Sequence, residues 1–371
     1  MRVMHVLAPA PFGGLEQVVV ALASGQQAAG HVISVAAVTN VGEPEPVVIA
    51  RLRALGIRVY VISSKPRAYW SQINALRALH CSLLPDVIHT HGYHPDVLGA
   101  LLKRWVNGTV VVSTAHGFSG GAWRNRLYEG VQRYALRRLD AVVAVSRKLA
   151  TELEAAGCSP SHVHTLANAW RPIEPPLDAA DARQVLGVAG DQFSIGWVGR
   201  VSREKGLDVL VDALPHVGEL PLRLTVIGDG PERNNVQYAA EKLGVASRIT
   251  WTGRLPDAAR LLRAFDLLVI SSRTEGTPMT LLEAMSAGVP ILTTAVGGIP
   301  DVVSDADAIL VTPEDPAAIA AGLRAVFTDP ESAAIRATSA RRRVESIYAV
   351  QPWVEKYDAV YAAARATLDV G

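Results

Sequence analysis

Two hydrophobic patterns alternate along the chain of 371 residues. Short runs of consecutive apolar residues, typical of buried parallel strands, are each followed by a longer segment with the spacing of an amphipathic helix. The strands predicted in this way span residues 3–8, 31–39, 57–62, 87–89, 110–114 and 141–145, and then 193–198, 223–227, 248–250, 266–270, 291–293 and 308–311. This alternation predicts an α/β fold with parallel sheets and helices on both of their faces.

The two series of strands are separated by residues 168–176, which contain three prolines and no apolar period. A chain of this length exceeds the usual size of a single core, so we predict two domains. We place them at residues 1–170 and 171–352, each as a Rossmann-like unit. In such sheets, ligands bind outside the carboxyl ends of the strands.

The segment 266–290 contains the most informative pattern. A buried strand precedes it, Thr277 is a candidate helix cap with Pro278 in the first helical position, and Gly288 with Pro290 ends the helix. Glu275 then lies on the loop and Glu283 two turns along the helix. The start of a helix binds anions, so the segment Gly276, Thr277, Pro278, Met279 and Thr280 is predicted to bind the phosphates of a ligand, with Glu283 further along the same helix. Two carboxylates beside an anion site suit a sugar nucleotide.

Two cations follow the strand that ends at Gly199. Arg200 and Lys205 are close enough in sequence to contact one diphosphate. Negative charge grows on a nucleoside diphosphate as it leaves a glycosyl group, and fixed cations stabilise that transition state. The alternative is that both are solvated surface cations. The presence of Glu275 in the other motif disfavours this alternative.

Glycines mark two other loops. Gly228, Asp229 and Gly230 form a turn, with Pro231 predicted in the first helical position, that either walls the nucleotide site or merely turns the chain. Gly13 and Gly14 follow the first strand, where they allow close approach to an anion or form a plain tight turn. The dinucleotide fingerprint G-x-G-x-x-G is absent, which disfavours an oxidoreductase.

These motifs together resemble the retaining glycosyltransferases of family 4, also called glycosyltransferase group 1. Glu275 and Glu283 match the E-x7-E motif, residues 197–206 the phosphate-binding segment, residues 228–231 the Gly-Asp-Gly-Pro turn, and residues 12–14 the N-terminal glycine-rich loop. The resemblance implies the GT-B fold, with the two sheets facing across a deep cleft. It also implies acceptor binding by residues 1–170, donor binding by residues 171–352, and a final helix, 353–371, that packs back on the first domain.

The resemblance assigns roles to single residues. It implies that Arg200 and Lys205 bind the diphosphate, Glu275 the hydroxyls of the donor sugar, and Glu283 the ribose. It further implies that His116 contacts the donor sugar and, by analogy, that Arg254 contacts the base. The predicted catalytic residues are therefore Arg200, Lys205, Glu275 and His116.

The predicted activity is transfer of a hexose from a nucleoside-diphosphate sugar to an acceptor hydroxyl with retention, in the synthesis of a cell-surface polysaccharide, glycolipid or other glycoconjugate. The acceptor is a sugar, a lipid-linked sugar or a small molecule, and the nucleotide is UDP, GDP or ADP. The alternative is a nucleotide-sugar epimerase or hydrolase on the same scaffold, and a non-catalytic binding protein is a third hypothesis.

No cofactor and no metal are predicted. Asp305 and Asp307 form an Asp-x-Asp that comes after the motif helix, where we expect a solvated turn. His89 and His91 end a strand, and histidines are common metal ligands. We expect them to pack or to support neighbouring groups, since neither cysteines nor regular ligand spacing accompany them.

Net charge is +1, which argues against nucleic-acid binding. We expect a cytoplasmic protein, since we find neither a signal peptide nor an apolar run long enough for a membrane span. Residues 123–148 are rich in arginine, and Leu127, Val131, Ala135 and Leu139 repeat every four residues. A basic helix of this kind suits peripheral contact with an anionic inner membrane face. The alternative is an ordinary solvated helix over a core stripe.

Overall fold

The computed structural model describes residues 1–9, 14–66, 68–117, 123–170, 172, 175–188 and 192–368, with the backbone alone for residues 123–126. The chain divides into two compact units. The first comprises Met1–Ala169 and Ala349–Gly371, and the second comprises Trp170–Tyr348. The chain therefore leaves the first unit one residue before the predicted boundary and re-enters it four residues before the other.

A parallel sheet forms the centre of the first unit, and among the described residues it has seven strands in the order β3-β2-β1-β4-β5-β6-β7. The strands are β1 (Arg2–Leu7), β2 (Val32–Asn40), β3 (Arg58–Ser64), β4 (Val87–His91), β5 (Val110–Ala115), β6 (Ala141–Ala144) and β7 (Val163–Thr165). The apolar runs predicted six of these. β7 is too short and too polar to give such a signal, and β4 continues through His91 because its polar residues are also buried.

Helices connect these strands and cover the sheet. They are α1 (Gly14–Ala28), α2 (Val47–Ala54), α3 (Tyr69–Leu83), α4 (Tyr93–Leu102), α5 (Trp123–Leu136) and α6 (Arg147–Ala155). The strands β4, β5 and β6 are buried along their whole length, as expected of a parallel sheet covered on both faces.

A second parallel sheet forms the centre of the other unit, with the order β10-β9-β8-β11-β12-β13 among the described residues. Its strands are β8 (Phe193–Val198), β9 (Leu222–Ile227), β10 (Ile249–Gly253), β11 (Leu267–Ile270), β12 (Ile291–Thr294) and β13 (Ile309–Val311). Its helices are α7 (Ala179–Leu186), α8 (Leu207–Ala213), α9 (Arg233–Lys242), α10 (Met279–Ala287), α11 (Ile299–Val302), α12 (Pro316–Thr328) and α13 (Pro330–Ile347). Both units are thus Rossmann-like, as predicted.

The final helix, α14 (Val350–Leu368), belongs to the first unit and begins three residues before the predicted start. Its Tyr357 and Tyr361 are fully buried. The hydroxyl of Tyr357 lies 2.9 Å from Thr114 Oγ1 on β5, and that of Tyr361 lies 2.7 Å from His89 Nδ1 on β4. These contacts attach the helix to the sheet through polar groups as well as apolar packing.

Among the residues that the structure describes, no helix combines the length and the apolar character needed to cross a lipid bilayer.

Candidate functional site

The predicted donor-binding loops meet at one edge of the second sheet. The loop with Arg200 and Lys205 follows β8, and the loop with Glu275 follows β11. These strands are neighbours, and the strand order reverses between them. Parallel sheets of this kind bind ligands at the carboxyl edge where the order reverses. The fold therefore brings together two residues, Lys205 and Glu275, that are 70 positions apart in sequence.

Lys205 and Glu275 form an ion pair at this edge. Lys205 Nζ lies 2.7 Å from Glu275 Oε1, and the Ser272 hydroxyl donates to the same oxygen at 2.6 Å. Only 8% of the Glu275 side chain is exposed, against 31% for Lys205. The carboxylate is thus fixed in one orientation while the ammonium keeps contact with solvent. Arg200 is exposed on the same loop.

The backbones of these loops approach each other closely at glycine residues. Gly228 has φ of 150°, its N–H donates to the Gly253 carbonyl at 2.8 Å, and a Cβ there would overlap with the carbonyl oxygen of Gly199. Gly297, with φ of 58°, lies in the same way against the carbonyl oxygen of Glu275. Only glycine permits both this conformation and this approach.

The helix that follows Glu275 starts later than predicted. Met279 is the first residue of α10, and Pro278 is the residue before it, with no side-chain cap. The prediction that Thr277 caps the helix and Pro278 opens it is therefore wrong by one position, because Pro278 is extended, with ψ of 125°. Proline has no N–H group, so the first helical amides are those of Met279 and Thr280. Gly288 ends the helix with φ of 72°, as predicted.

Glu283 is buried, with 6% of its surface exposed. Glu283 is therefore not an ordinary solvated residue on the outer face of the helix. The predicted separation of the two carboxylates is confirmed, since Glu275 lies on the loop and Glu283 lies within α10.

The turn after β9 differs from the prediction. α9 begins at Arg233, so Pro231 is two residues ahead of the first helical position. Asp229 Oδ1 accepts a hydrogen bond from the N–H of Gly230 at 2.8 Å and lies 3.7 Å from Arg233 Nη1. The carboxylate of Asp229 therefore stabilises its own turn. Arg254 is exposed beyond the end of β10.

The candidate residues of the first unit lie at the carboxyl edge of its own sheet. Gly14 is the first residue of α1, and Gly13 is outside the described residues, as is Phe12. His116 follows β5 directly. Burial lowers the pKa of His116 to about 4, and its Nε2 is buried without a hydrogen-bond partner among the described residues. The imidazole is therefore neutral at physiological pH.

Three histidines of this sheet, His5, His89 and His91, lie close enough together to hold a metal ion. His5 was not singled out in the sequence because it lies inside an apolar strand. His5 Nε2 donates to Gln26 Oε1 at 2.8 Å, so the neutral His5 accepts at Nδ1 from His91 Nε2 at 3.0 Å. His89 contacts Tyr361 and Thr114.

Five of the six ring nitrogens in this cluster therefore have a protein partner, and the sixth, His91 Nδ1, is buried without one among the described residues. Hydrogen bonds from the cluster reach α1, β5 and α14. Burial lowers the pKa of His5 to about 4, and burial with the neighbouring imidazoles holds the pKa of His89 and His91 well below its usual range.

The Asp-x-Asp is not the solvated turn that we predicted. Asp307 is buried, and its Oδ2 accepts from the N–H and the hydroxyl of Ser304 while its Oδ1 accepts from Ser339 on α13. Both of its oxygens thus bind protein groups, and the carboxylate stabilises the link between this turn and α13.

Two family models match the chain. Residues 178–343 match the model described as "Glycosyl transferases group 1", and residues 12–170 match the model described as "Glycosyltransferase Family 4". The matches cover both units and include the loops described above. The chain belongs to glycosyltransferase family 4.

Known relatives agree with this assignment. The glycosyltransferase is 29% identical over 248 residues to the lipopolysaccharide core biosynthesis mannosyltransferase LpsB of Rhizobium meliloti (strain 1021), a match that covers 64% of this chain and 69% of the relative. It is 30% identical over 286 residues to the 2-deoxystreptamine N-acetyl-D-glucosaminyltransferase of Streptomyces fradiae, a match that covers 70% of this chain and 66% of the relative.

The fold also has solved counterparts. The crystal structure of Anabaena HepE in complex with UDP and glucose superposes with a TM-score of 0.84 at 20% identity, covering 98% of this chain and 100% of HepE. Together with the two parallel sheets, this likeness shows that the glycosyltransferase has the GT-B fold.

Two residues near Lys205 and Glu275, at the carboxyl edge of the second sheet, escaped the sequence prediction. Gly297 supports the Glu275 loop from the segment after β12, and a Gly-Gly pair soon after a predicted strand was an available signal. Arg273 donates hydrogen bonds to Asp208, Glu314 and the carbonyl of Arg203. A single arginine between a strand and a motif does not by itself indicate such a role in the sequence.

Proposed function

We propose that this glycosyltransferase moves a hexose from a UDP-sugar to an acceptor hydroxyl with retention of anomeric configuration. The observation that carries the proposal is the pair of Lys205 and Glu275, held at the carboxyl edge where the second sheet reverses its strand order. One residue is a cation suited to a diphosphate, and the other is a carboxylate suited to sugar hydroxyls.

The two side chains exchange partners when the donor binds. Lys205 turns from Glu275 to the diphosphate, and Arg200, exposed on the same loop, supplies a second cation. Glu275 then accepts hydrogen bonds from the sugar hydroxyls. As the bond from the anomeric carbon to the phosphate oxygen breaks, charge grows on the leaving diphosphate, and loss of one such cation costs roughly 2.7–4 kcal/mol of barrier.

Retention follows from a same-face mechanism. The acceptor oxygen forms its bond to the anomeric carbon on the face from which the diphosphate departs, and the acceptor proton passes to a phosphate oxygen of that leaving group. This route needs the cations alone. Double displacement needs a carboxylate nucleophile on the opposite face of the sugar, and the N-terminal motifs of the sequence contain no evident candidate.

The remaining predicted residues complete the donor site in this proposal. Glu283 binds the ribose from within α10, and the amides of Met279 and Thr280 bind the phosphates through the start of that helix. The turn with Asp229 walls the nucleotide. The role of His116 as a contact of the donor sugar rests on the family resemblance, as does the contact of Arg254 with the base.

The nature of the donor is supported by similar proteins. HepE was solved with UDP and glucose, LpsB is named as a mannosyltransferase, and the Streptomyces relative as an N-acetylglucosaminyltransferase. These names favour UDP as the nucleotide and a hexose as the sugar. They also favour transfer over epimerisation or hydrolysis. The LpsB likeness favours an acceptor in cell-surface glycolipid or polysaccharide synthesis.

A thermal-shift screen tests the nucleotide first. We expect UDP and UDP-hexoses to raise the melting temperature more than GDP or ADP do, since a ligand at about 100 times its Kd stabilises a protein by about 2.7 kcal/mol. The variant with Arg200→Ala and Lys205→Ala together should lose this stabilisation. If the double variant retains both the stabilisation and sugar transfer, the proposal is wrong. NMR of the product determines the anomeric configuration, and an inverted product excludes the same-face mechanism.

We also propose that residues 123–148 contact an anionic membrane at the inner face of the cell membrane. The structure corrects the predicted stripe, because Ala135 and Leu139 are buried whereas Leu127 and Val131 are exposed. α5 ends at Leu136, so it buries Ala135 and exposes Leu127 and Val131, while Leu139 lies beyond the helix. The exposed apolar residues are Leu127, Tyr128, Val131 and Tyr134. Exposed bases follow them in the chain at Arg137 and Arg138, and again at the start of α6 with Arg147 and Lys148.

An exposed apolar stripe beside bases matches the chemistry of an interfacial helix. Flotation with vesicles of phosphatidylglycerol and phosphatidylcholine tests it. We expect binding at low salt that Leu127→Ser with Val131→Ser abolishes, while Val185→Ser, at a valine 62% exposed on α7, leaves it intact. Equal flotation of all three proteins, or none by the wild type, would end this part of the proposal.

A further inference from the structure

One guanidinium group joins three segments at the donor edge of the second sheet. Arg273 Nη1 and Nη2 form a fork on Asp208, with both distances 2.8 Å. Nη1 also donates to the carbonyl of Arg203 at 2.7 Å, and Nε donates to Glu314 at 2.8 Å. Two parallel bonds to one carboxylate fix orientation as well as distance, which a single contact does not.

The backbone of Arg273 holds the same segment. Its N–H donates to the carbonyl of Glu204 at 2.8 Å. Arg273 therefore binds two successive carbonyls, those of Arg203 and Glu204, and the next residue along the chain is Lys205. In the other direction, Glu275 lies two residues beyond Arg273. Arg273 thus fixes the backbone just before Lys205 and belongs to the segment that leads to Glu275.

The charges around Arg273 exclude a direct part in phosphate binding. Hydrogen bonds to Asp208 and Glu314 raise the pKa of the guanidinium. Burial alone would raise the pKa of Asp208, but the Arg273 contacts and backbone hydrogen bonds together hold it below its usual range. Four of the five N–H groups of the side chain already have acceptors within the protein. The group is neutralised and nearly saturated, so its effect on a ligand passes through other residues.

We propose that Arg273 is the positioning residue that sets Lys205 and Glu275 for the donor diphosphate. The proposal rests on the proposed function of that pair. Lysine cannot replace this arginine, because an ammonium group does not form the planar fork. Arg273→Lys therefore keeps the charge and removes the geometry.

Calorimetric titration with UDP measures the effect without an acceptor. We expect Arg273→Lys to weaken UDP binding by about tenfold or more, the loss expected when a hydrogen bond to a charged group is misplaced. Uridine has no phosphates, so its affinity should change less than about twofold, within the usual error of additivity. A merely structural defect would weaken both ligands alike.

A double-mutant cycle shows whether the effect passes through Lys205. In the Lys205→Ala background, Arg273→Lys should change UDP affinity by less than about twofold, because the cation that it positions is gone. Arg324→Lys is the matched control, since Arg324 binds Glu219 and the His216 carbonyl in a similar way but lies on α12, beside the turn that leads into β9. It should leave UDP affinity unchanged.

Three results would overturn the inference. They are unchanged UDP affinity in Arg273→Lys, equal losses for UDP and uridine, and an undiminished loss in the Lys205→Ala background. Asp208→Asn removes one side of the same fork and replaces Arg273→Lys if that variant does not fold. The proposed function fails separately, if Lys205→Ala alone binds UDP as the wild type does.

Discussion

Acid should destabilise the first unit while sparing the second. His5 and His116 titrate near 6.5 in an unfolded chain but have pKa values of about 4 in the folded one, because burial disfavours their charged form. As the pH falls below 6.5, the unfolded chain binds protons that the folded unit does not. A histidine whose pKa is lowered by folding therefore contributes stability that is fully present above pH 6.5 and is lost as the pH falls toward 4.

The size of the effect follows from the same values. Between about pH 7.5 and pH 5.5, each of these two histidines costs about 1.3 kcal/mol of stability, and His89 and His91 add to the loss in the same direction. Asp96 opposes them, since burial raises its pKa to about 6 although Thr90, Ser113 and Gln132 donate to it. Asp96 adds about 0.8 kcal/mol of stability over the same interval, so His5, His116 and Asp96 together lower the free energy of unfolding by about 2 kcal/mol.

Hydrogen exchange in a urea series resolves the two units, which a single melting curve does not. We expect the opening free energy of amides in β4 to fall between these pH values, while that of amides in β9 stays constant. Asp208 and Asp307 in the second unit have pKa values below their usual range, so they remain ionised throughout. Asp96→Asn should steepen the loss in β4. Equal losses in the two strands, or a gain in β4, would refute the reasoning.

Three further changes have defined outcomes. Tyr361→Phe removes a hydroxyl shared by Gln26 and His89, and it should cost about 2–6 kcal/mol in urea unfolding of the first unit, since two buried groups lose a partner; Tyr238→Phe, at an exposed site, should cost little. Gly297→Ala should abolish thermal stabilisation by UDP, whereas Gly244→Ala, with a similar φ and open space around it, should preserve it; similar behaviour of the two variants would count against steric support of the Glu275 loop. Transfer from the UDP-sugar should proceed equally in EDTA and in magnesium, and a loss in EDTA that magnesium restores would contradict the metal-independent mechanism.

The sequence predicted the placement of the donor loops but not the contacts among them. The buried strands before Gly199 and Ser271 could be predicted from the sequence because strands of a covered parallel sheet are apolar throughout. A residue directly after such a strand then lies at the carboxyl edge of the sheet. The pairing of Lys205 with Glu275 could not be predicted from the sequence, because it depends on which strands become neighbours in the sheet. That choice is made by packing over the whole sheet.

Helix faces were predicted less well than helices. Leu127, Val131, Ala135 and Leu139 keep a four-residue spacing, but a helix advances about 100° per residue, so residues at this spacing drift around its axis. Leu127 and Val131 are therefore exposed and Ala135 is buried, and α5 ends before Leu139. Period alone cannot say which part of the row meets the core. The prediction for Asp307 was wrong for a related reason, since its hydrogen-bond partner Ser339 lies 32 residues further along the chain.

The return of the chain to the first unit has a consequence for synthesis on the ribosome. Tyr357 and Tyr361 occupy interior positions beside β4 and β5, yet they are translated after all of residues 170–348. Until α14 emerges, Thr114 and His89 have no partner from that helix. A released chain that ends near residue 348 holds the whole second unit but lacks α14, so it should carry a protease-sensitive N-terminal half beside a resistant C-terminal one.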